Sequence, residues 1–140
     1  IRKYTDRKIV VRPHPSRRLW QLEIIKKCNL KGIAISDNVS REGMLSGGNQ
    51  LYADFKNAWA VVGFNSNALT ESVCEGIPTF SMCPSSMAWE CSNKTLKLIE
   101  QPKMFDRQQW LNNLGYCQWT EKECFDGVPW QHLKKVIHEV

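Results

Sequence analysis

Two short segments carry residue types that can hold an anion. The first is Asn65-Ser66-Asn67, with Glu71 four residues further on. A polar turn that opens a helix offers unpaired backbone N–H groups and a partial positive charge, and both favour phosphate. The side chains of Asn65, Ser66 and Asn67 can donate further bonds to phosphate oxygens; the same residue types also serve simply as helix caps. Glu71 lies roughly opposite Leu69 and Val73, where it can accept hydrogen bonds from a ribose diol or stand as a surface carboxylate. Glu75 follows one turn later on the same face, and like charges at that spacing cost about 0.2–0.5 kcal/mol. Helix stability gives no reason for that pair. The second segment is Arg12-Pro13-His14-Pro15, whose His14 can donate to a phosphate from the opposite side or serve as a turn residue.

These segments need elements to position them. Ile9-Val10-Val11 reads as a buried strand that ends at the prolines. Ser16 then caps a helix carrying Leu19, Trp20, Leu22, Ile24, Ile25 and Cys28. Ile33 to Ser36 reads as a second strand, Asp37 to Gly48 as a loop, and Leu51 to Ala58 as a helix. Trp59 to Phe64 is a nearly all-apolar third strand and is expected to be central. A short helix from Ala68 to Glu75 ends at Gly76 with Pro78 beyond, and Thr79 to Met82 is a fourth strand. Helices over Leu96–Ile99, Asp106–Tyr116 and Trp130–His138 complete the chain. The alternation predicts an α/β fold with a Rossmann-like parallel sheet flanked by helices. Ligands in such sheets sit beyond the carboxyl ends of the strands, and both polar segments follow strands. Ser85-Ser86-Met87-Ala88-Trp89 follows the fourth strand on that side, so Ser85 and Ser86 are candidates for a loop over the ligand. Trp110, Leu111, Leu114 and Tyr116 are expected to pack the late helix onto the sheet, and Trp119, Trp130 and His132 to finish the core.

At 140 residues, with 42% hydrophobic and 24% charged residues, the chain has the composition of one soluble domain over 1–140. It contains no apolar run of about 20 residues that could cross a bilayer, so no transmembrane segment is expected. Its six cysteines form no Cys-x-x-Cys pair and no zinc-spaced cluster. They read as reduced core or near-core thiols, which suggests a cytoplasmic protein without a bound metal. Residues 1–31 hold ten Lys/Arg against two acids, a net +8. The remaining nine basic and twelve acidic residues give −3, for +5 in all. The basic segment suits a phosphate-bearing ligand, an anionic acceptor or nucleic acid, or is a solvated surface. The chain opens on Ile1 and reads as a piece of a longer protein.

The run Asn65 to Pro78 resembles the donor-binding segment of GT-B glycosyltransferases, and Glu71-Ser72-Val73-Cys74-Glu75-Gly76-Ile77-Pro78 is similar to the end of the plant UDP-glycosyltransferase signature. The resemblance implies a phosphate-binding role for Ser66 and Asn67 and a ribose-binding role for Glu71. Val62-Gly63-Phe64 stands where that family has a phosphate-binding histidine, the turn is one residue longer, and the family's sugar-reading residues are not present. Arg12-Pro13-His14-Pro15 resembles the His-Pro motif of bacterial sialyltransferases and capsule-type transferases, which implies that His14 meets the donor phosphate. Asp106 to Thr120 resembles the C-terminal segment of bacterial and phage glycosyltransferase-like proteins.

The resemblance therefore implies the C-terminal, donor-binding half of a two-domain enzyme. The nucleotide-sugar is a co-substrate, with no cofactor and no metal required. The acceptor is a glycan or polysaccharide, and the missing N-terminal domain brings the acceptor and the catalytic base, so the fragment alone is inactive. Two alternatives stay open: a phage-type transferase acting on hydroxymethylated bases in DNA, and a noncatalytic nucleotide-binding or interaction domain.

Overall fold

The protein is seen in a computed structural model that describes residues 1–14, 18–28, 32–36 and 50–137. Pro15 and Ser16, the 37–48 loop and His138 lie outside the described residues. The chain gathers into two compact units, Ile1–Phe105 and Asp106–Val140. The first has the expected α/β alternation: β1 (Ile9–Val11), α1 (Arg18–Lys27), β2 (Ile33–Ile35), α2 (Gln50–Phe55), β3 (Val61–Gly63), α3 (Asn67–Cys74), β4 (Thr79–Ser81) and a 3₁₀ turn at Leu96–Leu98.

The pairings are parallel, but the described strands form two two-stranded sheets, β1 with β2 and β3 with β4, and not one continuous sheet. The expected central strand over 59–64 is three residues long, and Trp59 lies outside it. Its indole Nε1 donates to Ile99 O at 2.8 Å, and the Arg7 guanidinium lies 3.9 Å from its ring centroid. Arg7 Nε also donates to Glu100 Oε2 at 3.1 Å, and the Thr5 hydroxyl donates to the same carboxylate. The β1 run is not buried as its β-branched residues suggest. It alternates, with Val10 49% exposed, which is the pattern of a sheet covered on one face.

The core lies where α3 covers β3 and β4. Leu69, Val73 and Phe80 are buried there, with Ala88 and Ile99. Gly63 permits the close approach: a Cβ on it would lie 3.1 Å from Leu69 Cδ2. Glu75 caps α3, and Gly76 follows with φ 74°. Ile77 N donates to Ser72 O at 2.9 Å and Gly76 N to Val73 O at 3.1 Å. This paired closure uses a left-handed residue that glycine adopts without strain, and it turns the chain back into β4.

Much of this core is polar, and its groups are hydrogen-bonded. The Ser72 and Thr79 hydroxyls meet at 2.7 Å. Asn93, buried beside β4, donates to Thr79 O at 3.2 Å and Lys103 O at 3.0 Å, and accepts from Lys103 N at 3.0 Å. Its backbone runs on as a parallel bridge to Phe80.

The second unit holds α4 (Gln108–Tyr116), α5 (Glu121–Phe125) and α6 (Val128–Ile137). A capping box between Thr120 and Glu123 starts α5. Gly127, at φ 74°, turns the chain into α6. The His132 ring meets Tyr116 edge-on at 4.9 Å and Trp119 at 5.5 Å. Tyr116 and Trp130 are 65% and 64% exposed, so neither completes a core as expected. None of the described residues in this unit is fully buried.

All six cysteines carry thiols and no disulfide. Cys91 is buried and Cys74 and Cys83 are half-buried, but Cys28, Cys117 and Cys124 are exposed and are not core residues. No described helix is long and apolar enough to cross a membrane.

Two substitutions at the α3 contact should act in opposite directions. Gly63→Ala must displace a fully buried Leu69 and should lower stability by about 1–3 kcal/mol. Thr70 Oγ1 is buried with no hydrogen-bond partner among the described residues, so the near-isosteric Thr70→Val should raise stability by about 1 kcal/mol. Urea midpoints of the two variants check both signs.

Candidate functional site

α3 begins at the carboxyl end of β3 because Asn65-Ser66 breaks the strand with extended and turn backbone. Ser66 stands at φ −150°, ψ 142°, and its Oγ accepts from Ala68 N at 3.3 Å. Ser66 is therefore the N-cap, the structural role open to it from the sequence. Asn65, Ser66 and Asn67 are all exposed, so polar side chains face solvent at the start of α3, while the amides of Ala68 and Leu69 already donate to Ser66 Oγ and Ser66 O. Phe64, just before them, is 68% exposed, while its carbonyl is held by Ser81 Oγ at 3.1 Å.

Glu71 is half-buried. Burial raises its carboxyl above the ordinary range, and the charge of Arg12 draws it partly back down. The two strand ends singled out in the sequence thus meet electrostatically, through Arg12 on one side and Glu71 on the other. Tyr52 of α2 borders the same place. Its phenol is raised first by burial, then by the charges of Glu71 and Glu75.

Arg12 is held from two sides. Its Nη1 donates to Asp54 Oδ2 at 2.5 Å and to Gln50 O at 3.3 Å, both on α2. Asp54 also accepts from Ser36 Oγ, at 2.9 and 2.7 Å on its two oxygens. Ser36 is the first residue past β2, and its amide donates to Val11 O at 2.9 Å. Arg12, Ser36 and Asp54 therefore form a half-buried network across the carboxyl ends of β1 and β2, with Glu71 within reach of its charge.

The other expected residues are placed differently. His14 is exposed, and its amide donates to Gln21 Oε1 of α1. The charge from its segment that bears on Glu71 is that of Arg12. Ser86 is buried, with its Oγ accepting from Ala88 N at 3.3 Å and its carbonyl from Trp89 N at 2.9 Å. It shapes the loop after β4 from within, while Ser85 is exposed. Sequence reasoning missed Asp54, Ser36 and Tyr52. A signal was present for Ser36, since it and Arg12 are each the first polar residue after a short apolar strand run. Asp54 carried none, because an aspartate in a short helix resembles any surface acid. Among the described residues no group of three or more His, Cys, Asp or Glu side chains is arranged to hold a metal ion.

The raised Glu71 carboxyl has a consequence for stability. A folded value above the unfolded one means that the protonated side chain suits the fold better. That contribution is complete below the ordinary value of 4.5 and is lost as pH rises through the folded value. Glu71→Gln, which mimics the protonated form, should therefore be more stable than the parent chain at neutral pH. The gap should close as the pH falls toward 4.5. Thermal unfolding of both proteins from pH 4 to pH 8 reads this, and a gap constant across that range contradicts it.

Set against known proteins, the chain finds no match among family models, curated proteins or solved structures.

Proposed function

We propose that the first unit binds the nucleotide-sugar donor of a glycosyltransferase, as the Rossmann-like C-terminal half of a GT-B enzyme. One observation carries the reading: the exposed Asn65-Ser66-Asn67 turn starts α3 at the carboxyl end of β3, with Glu71 half-buried one turn inside the helix. That is the side on which parallel strands take ligands, and the charge of Arg12, just past β1 in the other sheet, bears on the Glu71 carboxyl.

In this reading the diphosphate lies at the first turn of α3. There the helix dipole, the exposed Asn67 and the Asn65-Ser66 turn favour its charge, and His14 approaches from the β1 side. Glu71 accepts hydrogen bonds from the ribose diol, which requires the ionised carboxylate. Burial opposes that form and Arg12 offsets part of the opposition. Donors fixed before the reaction stabilise negative charge as the diphosphate leaves the sugar, since they need no reorganisation at that moment. The general base that activates the acceptor hydroxyl belongs to the acceptor-binding half. Ser85 is the exposed serine of the loop that would border the sugar.

Calorimetric titration with UDP, GDP and CMP, each beside its 2′-deoxy counterpart, tests the assignment. One ribonucleotide should bind at least about tenfold more tightly than its deoxy form, the scale of a hydrogen bond to a charged acceptor. Glu71→Ala should erase that preference while leaving the weaker binding. Failure of all three ribonucleotides to bind the unaltered chain would discard the donor-binding role.

A further inference from the structure

The Arg12–Asp54 pair lies deep for an ion pair between a strand end and a short helix, with side chains 22% and 18% exposed. Taking two charges this far from water largely cancels their attraction, so such a pair contributes little stability beyond what two apolar side chains would give. Stability is a poor reason for its presence. Its geometry suggests another. The single Ser36 hydroxyl is shared between the two Asp54 oxygens, and Ser36 is tied through its amide to Val11 O at the end of β1. The carboxylate therefore has a partner besides Arg12. The guanidinium is then fixed between Asp54 Oδ2 and Gln50 O.

We infer that Asp54 is a positioning residue, which holds the Arg12 guanidinium in place at the carboxyl ends of β1 and β2. The inference deepens the donor-binding reading and rests on it for the ligand that Arg12 and Glu71 serve. An arginine already immobilised loses no further side-chain freedom when ligand arrives, and that is how preorganisation raises affinity. Among the described residues, the charged and titratable groups that bear on Glu71 or share its surroundings are Arg12 from the β1 end, Tyr52 from α2 and Glu75 on its own helix. Among them Arg12 alone favours the ionised carboxyl.

A double-mutant cycle on the full chain tests this by following the Glu71 side-chain carboxyl through a pH titration with carbon-13 NMR. Arg12→Gln should move the Glu71 midpoint upward. If Asp54 positions Arg12, that shift falls by about half or more in an Asp54→Asn background, as coupled neighbours require, and persists in Asp54→Glu. An equal shift in both backgrounds overturns the inference. Should Asp54→Asn fail to fold, Ser36→Ala loosens Asp54 without removing its charge, and the same two outcomes decide. A second readout uses whichever of UDP, GDP or CMP binds the unaltered chain. Asp54→Asn should weaken it about fivefold and Asp54→Glu should restore it, while unchanged affinity in folded Asp54→Asn counts against the role. A parent chain that binds none of the three nucleotides sinks the donor reading and leaves the NMR cycle to judge Asp54.

Discussion

The approach of Leu69 to Gly63 governs what can stand on the carboxyl side of β3. With no side chain on Gly63, α3 sits so close to the strand that the Leu69 methyl groups lie 3.1 and 3.3 Å from where a Cβ would stand. That depth buries Leu69, Thr70, Ser72 and Val73 together. It leaves Asn67 exposed and Glu71 at the margin between core and solvent. The helix ends one turn later in a glycine closure that delivers the chain to β4, where the Thr79 hydroxyl meets Ser72 from the helix. Helix start, helix depth and helix end follow from one contact and one turn.

The rest of the first unit is tied by side chains more than by backbone ladders, because strands of three residues give few hydrogen bonds. At the amino edge Arg7 lies over Trp59 and joins Thr5 in holding Glu100, whose carboxyl falls below its ordinary range chiefly through the Thr5 hydrogen bond. The ionic part of that cluster is exposed on both sides and is screened by salt. At the carboxyl edge the Arg12–Asp54–Ser36 network is withdrawn from water and screened far less. The same two kinds of residue thus make a surface clasp at one end of the strands and a rigid charged floor at the other.

The legible parts were those with local chemical causes. Gly76 and Pro78 announced the end of α3 because left-handed backbone and a missing N–H are properties of single residues. The polar turn announced its start for a similar reason, and Ser66 does cap it. The parallel α/β alternation was also readable. The division of the strands between two sheets was not, because which strands pair is decided by contacts between distant parts of the chain and not by the local run of residues. Asn93 was invisible for the same reason: its partners Thr79 and Lys103 are brought together only by the fold. In the second unit, the Thr120–Glu123 capping box was there to be read, since its signature is local. The exposure of Tyr116 and Trp130 could not be foreseen, since a helical stripe of aromatics says only that a surface is apolar, not that it is covered. At the site, Arg12 was in view inside its motif but overshadowed by His14. Its importance rests on Asp54, a residue with nothing unusual around it in sequence.

The charges at the carboxyl edge limit how a nucleotide could lie there. Asp54 pairs with Arg12, and Glu71 is itself an acid. A diphosphate would be repelled beside an ionised Glu71 and favoured at the start of α3, where the dipole and the exposed Asn67 act. Four residues separate Asn67 from Glu71, about 6 Å along a helix axis. That is the scale of the separation between a ribose diol and the phosphates on its 5′ oxygen. The carboxylate and the helix start therefore do not compete for one part of a ligand. They sort two parts of it along α3, and the charge of Arg12 offsets part of the cost of ionising the acid that must accept hydrogen bonds.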